Sequence, residues 1–594
     1  MSAYRAPLKD MKFALNELAG LAEVAKLPGY QEATPDTVDA ILEEAAKFAS
    51  GVLDPINYSG DQEGSKWSDG AVRTPKGFRE AYKQFCDSGW NALPFELEWG
   101  GQGLPRLVST PVQEMWKSSN MSFSLCPLLT QGAIEALLLR GSDELKQSYV
   151  PKMVEGKWTG TMNLTEPQAG SDLSLVRTRA ERRGDQYLIT GQKIFITYGE
   201  HDLAENIVHL VLARTPEAPE GVKGISLFVV PKFIPNKDGT PGKRNTAKCA
   251  SIEHKLGIHA SPTAVMVYDQ AVGHLVGEEN RGLEYMFIMM NAARFAVGLE
   301  GVAIAERAFQ RALAFSKERL QGRDLVQGGS AVPIIRHPDV RRMLMLMKSQ
   351  AEAMRALAYT TAASLDFAHR HPDAEARKRH QGFVDLMIPV VKGWCTETGI
   401  EIASLGVQVH GGMGFVEETG AAQYLRDARI TTIYEGTTGI QAMDLVGRKI
   451  AREGGSTAKA WLSALKAFDA ELSKSANADI KALRGELAQG AQAVSDCVNF
   501  IVETKDPRAA FAGAVPFLKL MGIVAGGWQM ARAALAAERK LASGDGDRSF
   551  YEAKITTARF YGDHVLVQAP GLRDTVVKGA AGVMALSEEQ FLAA

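Results

Sequence analysis

The spacing of apolar residues changes twice along the chain and divides it into helical and strand-forming regions. Over 1–155 the apolar positions recur with a helical period, as in the segment 37–52, which carries Asp39 in its first turn. Near residue 156 the period shortens to two, and near residue 282 the helical period returns. The pattern predicts helices, then strands, then a longer run of helices.

Five short segments carry the strand pattern, at 187–190, 193–197, 206–212, 225–230 and 263–268. Turn elements such as Gly191-Gln192 separate the predicted strands, and no helical segment lies between them. Parallel strands need long crossover connections, which are usually helices. We therefore predict an antiparallel sheet.

The second helical region contains a clear amphipathic stripe. After Pro338-Asp339, apolar side chains repeat at helical spacing, at Val340, Met343, Leu344, Met347, Ala351 and Met354. A glycine- and serine-containing linker at 454–456 then precedes an alanine-rich segment, 460–594. We predict one long helix at the stripe and further helices after the linker.

One apolar stretch in the last region, 515–531, needs separate consideration as a membrane span. Pro516 and Lys519 interrupt it, and it is too short to cross a bilayer. We predict a buried helix instead. Three glycines would allow that helix to pack closely against its neighbours: Gly522, Gly526 and Gly527.

Composition narrows the class of protein. The chain has 594 residues, of which 45% are apolar and 23% charged, as in an ordinary globular protein with several cores. The formal net charge is −2, so no basic excess marks a surface for nucleic acid or anionic membrane. The first residues lack the apolar core of a secretory signal. We expect a cytoplasmic protein with no nucleic-acid partner and no integral membrane segment.

The cysteines indicate the redox environment. They lie far apart and form no Cys-x-x-Cys pair, at Cys86, Cys126, Cys249, Cys395 and Cys497. This spacing suits a reducing compartment and argues against a zinc site. We expect no bound metal.

Two segments around the strand region suit ligand chemistry. The sequence Leu-Thr-Glu-Pro-Gln-Ala-Gly-Ser-Asp at 164–172 offers hydroxyl and backbone donors for a polar heterocycle or a phosphate, although a plain surface turn is the alternative. The sequence Lys-Ile-Phe-Ile-Thr at 193–197 places an aromatic ring and a hydroxyl near a strand end. It would either face a flat ligand or belong to an ordinary half-buried strand.

Two further segments lie in the second helical region. The glycine-rich stretch 408–415 lacks GxGxxG spacing and no strand precedes it, so a Rossmann or P-loop interpretation fails and a helix end is the alternative. The loop 433–439, Ile-Tyr-Glu-Gly-Thr-Thr-Gly, holds one carboxylate, Glu435. Burial against an apolar ligand would raise the pKa of Glu435 and make it a base; otherwise it is a solvated loop acid.

Together, in this order and across a helix–strand–helix layout, the four segments resemble those of the acyl-CoA dehydrogenase flavoprotein family. The resemblance covers about residues 35–450 and implies a mainly α fold with a central antiparallel β domain. The segment 460–594 resembles the extra helical domain of the long bacterial members, which tend to be dimers. The implied units are an N-terminal extension (1–34), an N-terminal helical domain (35–155), a middle β domain (156–278), a C-terminal four-helix bundle (279–452) and the extra helical domain (460–594).

The resemblance implies that FAD lies between the β domain and the bundle, with an acyl-CoA thioester against its ring. Thr165 and Thr197 then contact the flavin, Phe195 covers it, and Ser171 contacts the CoA portion. Arg319 is assigned to the FAD pyrophosphate, commonly that of the neighbouring subunit.

The remaining assignments fall on the bundle. Gln408 and Gly412 resemble contacts to the adenosine side of FAD, and Thr437 resembles a further FAD contact. Gly436 resembles a backbone contact to the substrate. Arg294 either adds a positive field on the substrate side or is a structural helix arginine.

Glu435 resembles the catalytic base of the family. Some branches carry the base on an earlier helix, immediately before an arginine. The matching stretch here ends in Ala293-Arg294, and alanine cannot remove a proton. Glu435 is therefore the candidate that either arrangement leaves.

The implied activity is FAD-dependent α,β-dehydrogenation of an acyl-CoA to a trans-2-enoyl-CoA, as in fatty acid β-oxidation. Glu435 takes the α-proton, a hydride passes from Cβ to flavin N5, and the electrons go to an electron-transfer flavoprotein. In the long subgroup the substrates include 3-methylmercaptopropionyl-CoA and medium- or long-chain fatty acyl-CoAs. Two alternatives stay open: an acyl-CoA oxidase that uses oxygen, and a catalytically silent flavoprotein scaffold, against which an intact Glu435 argues.

Overall fold

Helices form the first part of the chain, as the apolar period predicts. The structure, a computed structural model, describes residues 3–544 and 546–592. The predicted helix 37–52 forms at Pro35–Phe48, where the Thr34 hydroxyl accepts a hydrogen bond from the Thr37 N–H. The elements of this part are α1 (Leu8–Phe13), α2 (Leu21–Val24), α3 (Pro35–Phe48), α4 (Asn57–Glu63), β1 (Lys66–Ser68), β2 (Ala71–Arg73), α5 (Phe78–Asp87), α6 (Arg106–Ser119), α7 (Met121–Arg140) and α8 (Asp143–Val154).

Strands occupy the middle of the chain, as predicted. They are β3 (Trp158–Asn163), β4 (Arg179–Arg183), β5 (Gln186–Thr197), β6 (Asn206–Ala213), β7 (Ser226–Pro231), β8 (Phe233–Pro235), β9 (Pro241–Arg244), β10 (Ala247–Ile252) and β11 (Thr263–Leu275). Within the described residues the main sheet has seven strands in the order β3-β6-β7-β11-β5-β4, with β10 also paired to β11.

The expected antiparallel pairing holds for this sheet except at one pair. Strands β3 and β6 run parallel, from Trp158 beside Asn206 to Asn163 beside Val211. The prediction of a wholly antiparallel sheet was wrong here because the crossover is not a helix. The antiparallel pair β4 and β5 carries the chain across and returns it in the same direction.

The turn predicted at Gly191-Gln192 is also wrong, because 187–190 and 193–197 belong to the single strand β5. The pairing of β5 with β11 shifts register near Gly191. A Cβ at Gly191 would lie 2.5 Å from the Thr178 hydroxyl, so glycine allows the close approach of two backbones rather than a turn.

Long helices follow the sheet and form the bundle that carries the predicted stripe. Helix α10 contains the stripe 340–354, whose members are buried or partly buried. The elements are α9 (Gly282–Glu318), β12 (Leu320–Asp324), β13 (Gly328–Pro333), α10 (Pro338–Arg370), α11 (Ala374–His410), α12 (Ala421–Arg429) and α13 (Thr438–Met443). A π-helical segment, Asp444–Ala451, continues α13.

The last region is helical, and it packs on the bundle. Its helices are α14 (Ser456–Leu472), α15 (Ala478–Glu503), α16 (Pro507–Ala512), α17 (Ala514–Ser543), α18 (Arg548–His564), α19 (Ala569–Lys578) and α20 (Ala580–Val583). Helix α17 contains the stretch 515–531, and its core positions are buried as predicted. The mainly α fold with a central β domain is thus confirmed, while the exact unit boundaries stay a prediction.

In the part of the chain that the structure describes, two helices are long and apolar enough to cross a membrane by length and composition alone. They are α7 and α9, and their most apolar windows are 78% and 67% buried inside the protein. Packing in the core accounts for their apolar character.

Candidate active site

The loop that carries Glu435 has an unusual backbone. A 3-10 turn, Ile430–Thr432, precedes the loop, and Glu435 lies in the left-handed region with φ of 53°. Gly436 follows with φ of 90°. The Thr437 hydroxyl then caps α13 by accepting a hydrogen bond from the Ile440 N–H at 3.2 Å. A left-handed glutamate costs free energy, so surrounding contacts must hold this conformation.

Three side chains provide those contacts. Lys392 Nζ donates to the Gly436 carbonyl at 2.6 Å, and Gln441 Nε2 donates to the Glu435 carbonyl at 3.2 Å. On the other side, the Tyr434 hydroxyl donates to Glu300 Oε2 at 2.5 Å. The residues before and after Glu435 are therefore both anchored to the bundle helices.

The electrostatic setting suits a base near neutral pH. Glu435 is partly exposed, and desolvation by the surrounding protein raises the pKa of its carboxyl to about 7, against the opposing charges of Lys392 and Arg294. Arg294 is buried and forms an ion pair with Asp444 at 3.4 Å. Its guanidinium lowers the pKa of Glu435 through its charge and also holds Asp444, so both alternatives for Arg294 stay open.

The two predicted flavin segments of the β domain lie side by side. The Ile194 N–H donates to the Thr165 carbonyl at 2.9 Å, which joins the turn 164–172 to strand β5. A buried ion pair reinforces this join, because Lys193 Nζ lies 2.8 Å from Glu166 Oε1. Burial would raise the pKa of Glu166, but the Lys193 ammonium and hydrogen bonds from Thr178 and Arg177 lower it to about 2.

Strand β5 ends in a strained and partly uncovered stretch. Phe195 has φ of 60° and is 60% exposed, although phenylalanine is normally buried. Tyr198 has φ of 51°, and its hydroxyl donates to the Ser122 carbonyl at 2.8 Å. Thr197 and Thr165 are partly exposed on the same two segments. An exposed ring held in the left-handed region, with threonines nearby, fits a flat ligand.

A chain of contacts connects the end of β5 to the Glu435 loop. The Tyr198 N–H donates to the Pro262 carbonyl at 2.8 Å. In the same loop, the Ile258 N–H donates to Asp427 on α12 at 2.6 Å. A Cβ at Gly257 would lie 2.5 Å from the Arg426 carbonyl oxygen, so the β domain packs on α12 at backbone distance. Helix α12 leads directly into the Glu435 loop.

The glycine-rich stretch after α11 forms an open surface. Gln408 and Gly412 are exposed, and a Cβ at Gly411 or Gly412 would meet no atom within 4 Å. The preceding His410 is buried, stacks on Phe315 at 4.4 Å, and donates from Nδ1 to the Gly406 carbonyl. Its Nε2 is buried without a hydrogen-bond partner in the described part of the chain. This arrangement leaves room and polar atoms for a ligand.

Arg319 and Ser171 are the remaining predicted contacts, and both residues are exposed. Arg319 is exposed at the end of α9, where the hairpin of β12 and β13 begins. Within residues 3–544 and 546–592, its side chain forms no hydrogen bond or ion pair with another candidate residue. Ser171 is exposed in the turn 164–172. One chain therefore brings together the Glu435 loop and the β5 segments, whereas Arg319 lies at the start of the hairpin of β12 and β13.

Sequence reasoning gave no role to several residues of this site: Lys392, Gln441, Glu300, Lys193 and Glu166. A signal was present for two of them. Lys392 interrupts the apolar run Ile-Pro-Val-Val before it, and Glu300 is the only charged residue in Ala-Val-Gly-Leu-Glu-Gly-Val-Ala. A lone charge inside an apolar helix must find a buried partner, which marks it for attention.

The donor set suits an organic cofactor. Hydroxyls, backbone amides and an exposed ring lie on the β5 segments, and the buried His410 Nε2 lies beside the glycine-rich stretch. Among the residues that the structure describes, no group of three or more histidine, cysteine, aspartate or glutamate side chains is placed to hold a metal ion.

Family models match four successive parts of the chain. They are "Acyl-CoA dehydrogenase, N-terminal domain" at 35–157, "Acyl-CoA dehydrogenase, middle domain" at 161–271, "Acyl-CoA dehydrogenase, C-terminal domain" at 280–450, and "Acetyl-CoA dehydrogenase C-terminal like" at 461–587.

One curated relative is similar along nearly the whole chain. The 3-methylmercaptopropionyl-CoA dehydrogenase of Ruegeria pomeroyi is 53% identical over 570 residues, which cover 95% of this chain and 96% of that protein.

Two solved structures share the fold over nearly the full length. An acyl-CoA dehydrogenase complexed with FAD from Bacillus anthracis matches with a TM-score of 0.72 and 19% identity, over 99% of this chain and 94% of that one. Caenorhabditis elegans ACDH-11 in complex with C11-CoA matches with a TM-score of 0.74 and 19% identity, over 97% of each chain. The extra helical region is thus part of a shared architecture.

Proposed function

The chain belongs to the acyl-CoA dehydrogenase family, and from this premise we propose that it oxidises the Cα–Cβ bond of an acyl-CoA with Glu435 as the base. One observation carries the proposal. Glu435 is held in a left-handed loop beside the β domain, and desolvation raises the pKa of its carboxyl to about 7. A carboxyl group with that pKa accepts a proton better than an ordinary glutamate, and it is still ionised in part at neutral pH.

The residues of this chain would remove the α-proton of the substrate and hold the Glu435 carboxylate in position. Each unit by which the pKa of the base rises removes about 1.4 kcal/mol of the mismatch with the weakly acidic α-proton. Lys392 and Gln441 fix the carbonyls of Gly436 and Glu435, so the carboxylate is presented in one direction. The Glu435 N–H would donate to the thioester carbonyl and stabilise the negative charge that develops there.

The related acyl-CoA dehydrogenase of Bacillus anthracis is complexed with FAD, and the same cofactor bound here would supply the acceptor for the hydride from Cβ. We assign its contacts to the segments with uncovered donors and rings. The proposed set is Thr165, Phe195 and Thr197 at the ring, Gln408 and Gly412 at the adenosine side, Thr437 beside the base loop, and Arg319 toward the cofactor of a second copy.

On the substrate side we assign Ser171 to the CoA portion, Gly436 to a backbone contact, and Arg294 to the field around the base. The identity of 53% to a 3-methylmercaptopropionyl-CoA dehydrogenase supports that thioester as the substrate. A medium- or long-chain fatty acyl-CoA is the other substrate to be compared, with an electron-transfer flavoprotein as the proposed acceptor.

A homodimer is the proposed assembly, and a surface feature supports it. The tip of the hairpin of β12 and β13 exposes Leu325 at 78% and Val326 at 94%, and Phe415 near the glycine-rich stretch is 89% exposed. Exposed apolar side chains of this size favour a protein contact. Arg319 lies at the base of the same hairpin, so dimerisation would bring it to a second subunit.

We place the protein in the cytoplasm, in line with its five unpaired cysteines.

The test is an anaerobic titration of the purified yellow protein with 3-methylmercaptopropionyl-CoA and with fatty acyl-CoAs of graded length, following flavin absorbance. We expect bleaching, most efficient with the thioether substrate. Peroxide formed on mixing in air would identify an oxidase instead, and no bleaching with any acyl-CoA would identify a silent scaffold.

Glu435→Gln separates the role of the base from the fold. We expect this variant to keep its flavin but to be bleached at least about a hundredfold more slowly, because a neutral amide cannot take the proton. Glu453→Gln, which changes an exposed acid beyond the bundle, is the matched control and should be bleached at the wild-type rate. Full-rate bleaching of Glu435→Gln would refute the assignment.

A further inference from the structure

We propose that Glu300 and Lys392 are positioning residues that clamp Glu435 through its two chain neighbours and bring groups of opposite charge close to it. The inference rests on the proposed function, since it concerns the base of that reaction. It adds two residues, on α9 and α11, that lie outside the four motifs of the sequence.

The first half of the clamp lies before the base. Tyr434 directly precedes Glu435, and its hydroxyl donates to Glu300 Oε2 at 2.5 Å. Glu300 is completely buried, and its other oxygen has no hydrogen-bond partner in the described part of the chain. A buried carboxylate with an unsatisfied oxygen is costly for the fold. Its one hydrogen bond is used to hold the residue beside the base.

The second half lies after the base. Lys392 is also completely buried, and its ammonium donates to the Gly436 carbonyl at 2.6 Å. Without such restraints, a left-handed glutamate followed by a glycine would relax to other conformations. With Tyr434 fixed on one side and Gly436 on the other, the Glu435 side chain has one backbone position from which to reach the substrate.

The clamp also carries charge. Burial raises the pKa of Glu300 to about 7. The positive charges of Lys117 on α6 and, more weakly, of Lys392 lower this pKa, whereas the negative charge of Glu435 raises it further. Burial lowers the pKa of Lys392 to about 8, against the charges of Glu435 and Glu300. Two carboxyl groups and two ammonium groups therefore share one buried region and respond to each other near neutral pH.

Other charged groups face this region from every element packed on it, and any measured pH dependence includes them. They are Arg294 on α9, Glu397 on α11, Asp427 on α12, and Asp444 with Arg448 on the π-helical segment. Glu397 is linked to the Glu435 loop because its carboxylate accepts a hydrogen bond from the Thr438 hydroxyl.

The charge part of the proposal gives opposite predictions for two variants. In Glu300→Gln a repelling carboxylate is lost, so ionised Glu435 is favoured and the midpoint of the pH profile for flavin reduction should move down by about one unit. In Lys392→Met an attracting ammonium is lost, so the midpoint should move up by about one unit. The measurement is the rate of flavin reduction in the holoenzyme by the best acyl-CoA, as a function of pH.

The geometric part is tested by variants that keep the charges. Tyr434→Phe keeps both carboxyl groups but cuts the link to Glu300, and we expect the limiting rate to fall on the order of tenfold because the base is less well positioned. Lys392→Arg keeps a cationic donor and should stay near the wild-type midpoint even if Lys392→Met fails to fold. Glu306→Gln changes another buried glutamate of α9, and this control should leave the midpoint unchanged.

A second readout does not require turnover. The infrared band of protonated carboxyl groups in the substrate-free holoenzyme should titrate near neutral pH with contributions from both Glu300 and Glu435. Glu300→Gln should remove one contribution and Glu435→Gln the other.

Midpoints that stay fixed, or that move in the same direction in Glu300→Gln and Lys392→Met, would overturn the proposal while leaving the dehydrogenase activity intact. If the wild-type protein is not bleached by any acyl-CoA, the proposed function fails instead. The infrared titration then still decides whether the two carboxyl groups interact.

Discussion

Two glutamates of the site, each close to a buried lysine, have pKa values that are shifted in opposite directions. Lys193 donates its hydrogen bond to the Glu166 carboxylate itself, and the pKa of Glu166 falls to about 2. Lys392 donates to the Gly436 carbonyl beside Glu435, and the pKa of Glu435 rises to about 7 because desolvation outweighs the charge. The difference lies in the hydrogen bonds: Lys193, Thr178 and Arg177 donate to the Glu166 carboxylate, whereas the Lys392 ammonium donates to a backbone carbonyl and leaves the Glu435 carboxyl desolvated.

The structural role of the Lys193–Glu166 pair leads to a stability prediction. Lys193→Met leaves a buried carboxylate without its cation and should lower the free energy of unfolding by about 3 kcal/mol at pH 7. Because the pKa of Glu166 is depressed in the folded state, the pair's contribution is present above pH 4.5 and is lost as the pH falls toward about 2. The deficit measured by urea unfolding should therefore shrink at acidic pH.

The control is Lys248→Met, which removes an exposed lysine from strand β10 and should change stability by no more than about 0.5 kcal/mol. An equal deficit for Lys193→Met at acidic and neutral pH would show that the lost packing of the lysine stem, not its charge, matters.

At the scale of elements, small residues decide how the last helical region docks on the bundle. Gly522 of α17 faces Trp394 of α11, and a Cβ at Gly522 would lie 2.1 Å from the indole Cγ. Gly526, one turn later, faces both Trp394 and the Tyr561 hydroxyl. The two helices can approach this closely only because neither position carries a side chain.

Gly522→Ala tests this docking. Alanine is the better helix former, yet the clash with a buried ring should lower the free energy of unfolding by about 1–3 kcal/mol. Gly485→Ala on α15, where a Cβ would meet no atom within 4 Å, should instead raise it by up to about 1 kcal/mol. Thermal unfolding of both variants provides the measurement, and a stabilised Gly522→Ala would contradict the close packing.

At the scale of the molecule, a buried ionic network joins parts of the chain that are distant in sequence. Arg355 of α10 bonds Glu114 of α6 at 2.7 Å and Glu306 of α9 at 2.8 Å. It also bonds Asp10 of α1, which in turn pairs with Lys554 of α18. The N-terminal segment and the last helical region are thereby tied to the same point of the bundle.

Arg355→Met should affect both ends of the chain at once. It leaves two buried carboxylates, Glu114 and Glu306, and the partly buried Asp10 with too little positive charge, so the free energy of unfolding should fall by about 3–5 kcal/mol. Hydrogen exchange should become faster in α1 and in α18 together. Arg559→Met, which breaks an exposed pair with Asp563 on α18, is the matched control and should cost less than about 1 kcal/mol. Faster exchange confined to α10 would contradict the network.

The order of the elements and the residues of the four motifs could be predicted because both depend on local features. The stripe of α10 and the buried helix α17 follow from apolar spacing. The prediction of the strands was wrong in two details, the parallel pair β3–β6 and the continuous strand β5, because strand pairing depends on contacts distant in sequence. The roles given to the motif residues stay predictions, since they concern molecules that bind to the chain.

The sequence by itself determined the helix–strand–helix order, the mainly α fold with its central β domain, the family, and Glu435 as the candidate base. These follow from periodicity and from motifs read along the chain. Only the tertiary structure decided what surrounds that base. Lys117, Glu300 and Lys392 come from three helices, and nothing in their spacing predicts that they meet. Burial and the direction of each hydrogen bond set the charge of Glu435, and both are properties of the folded chain.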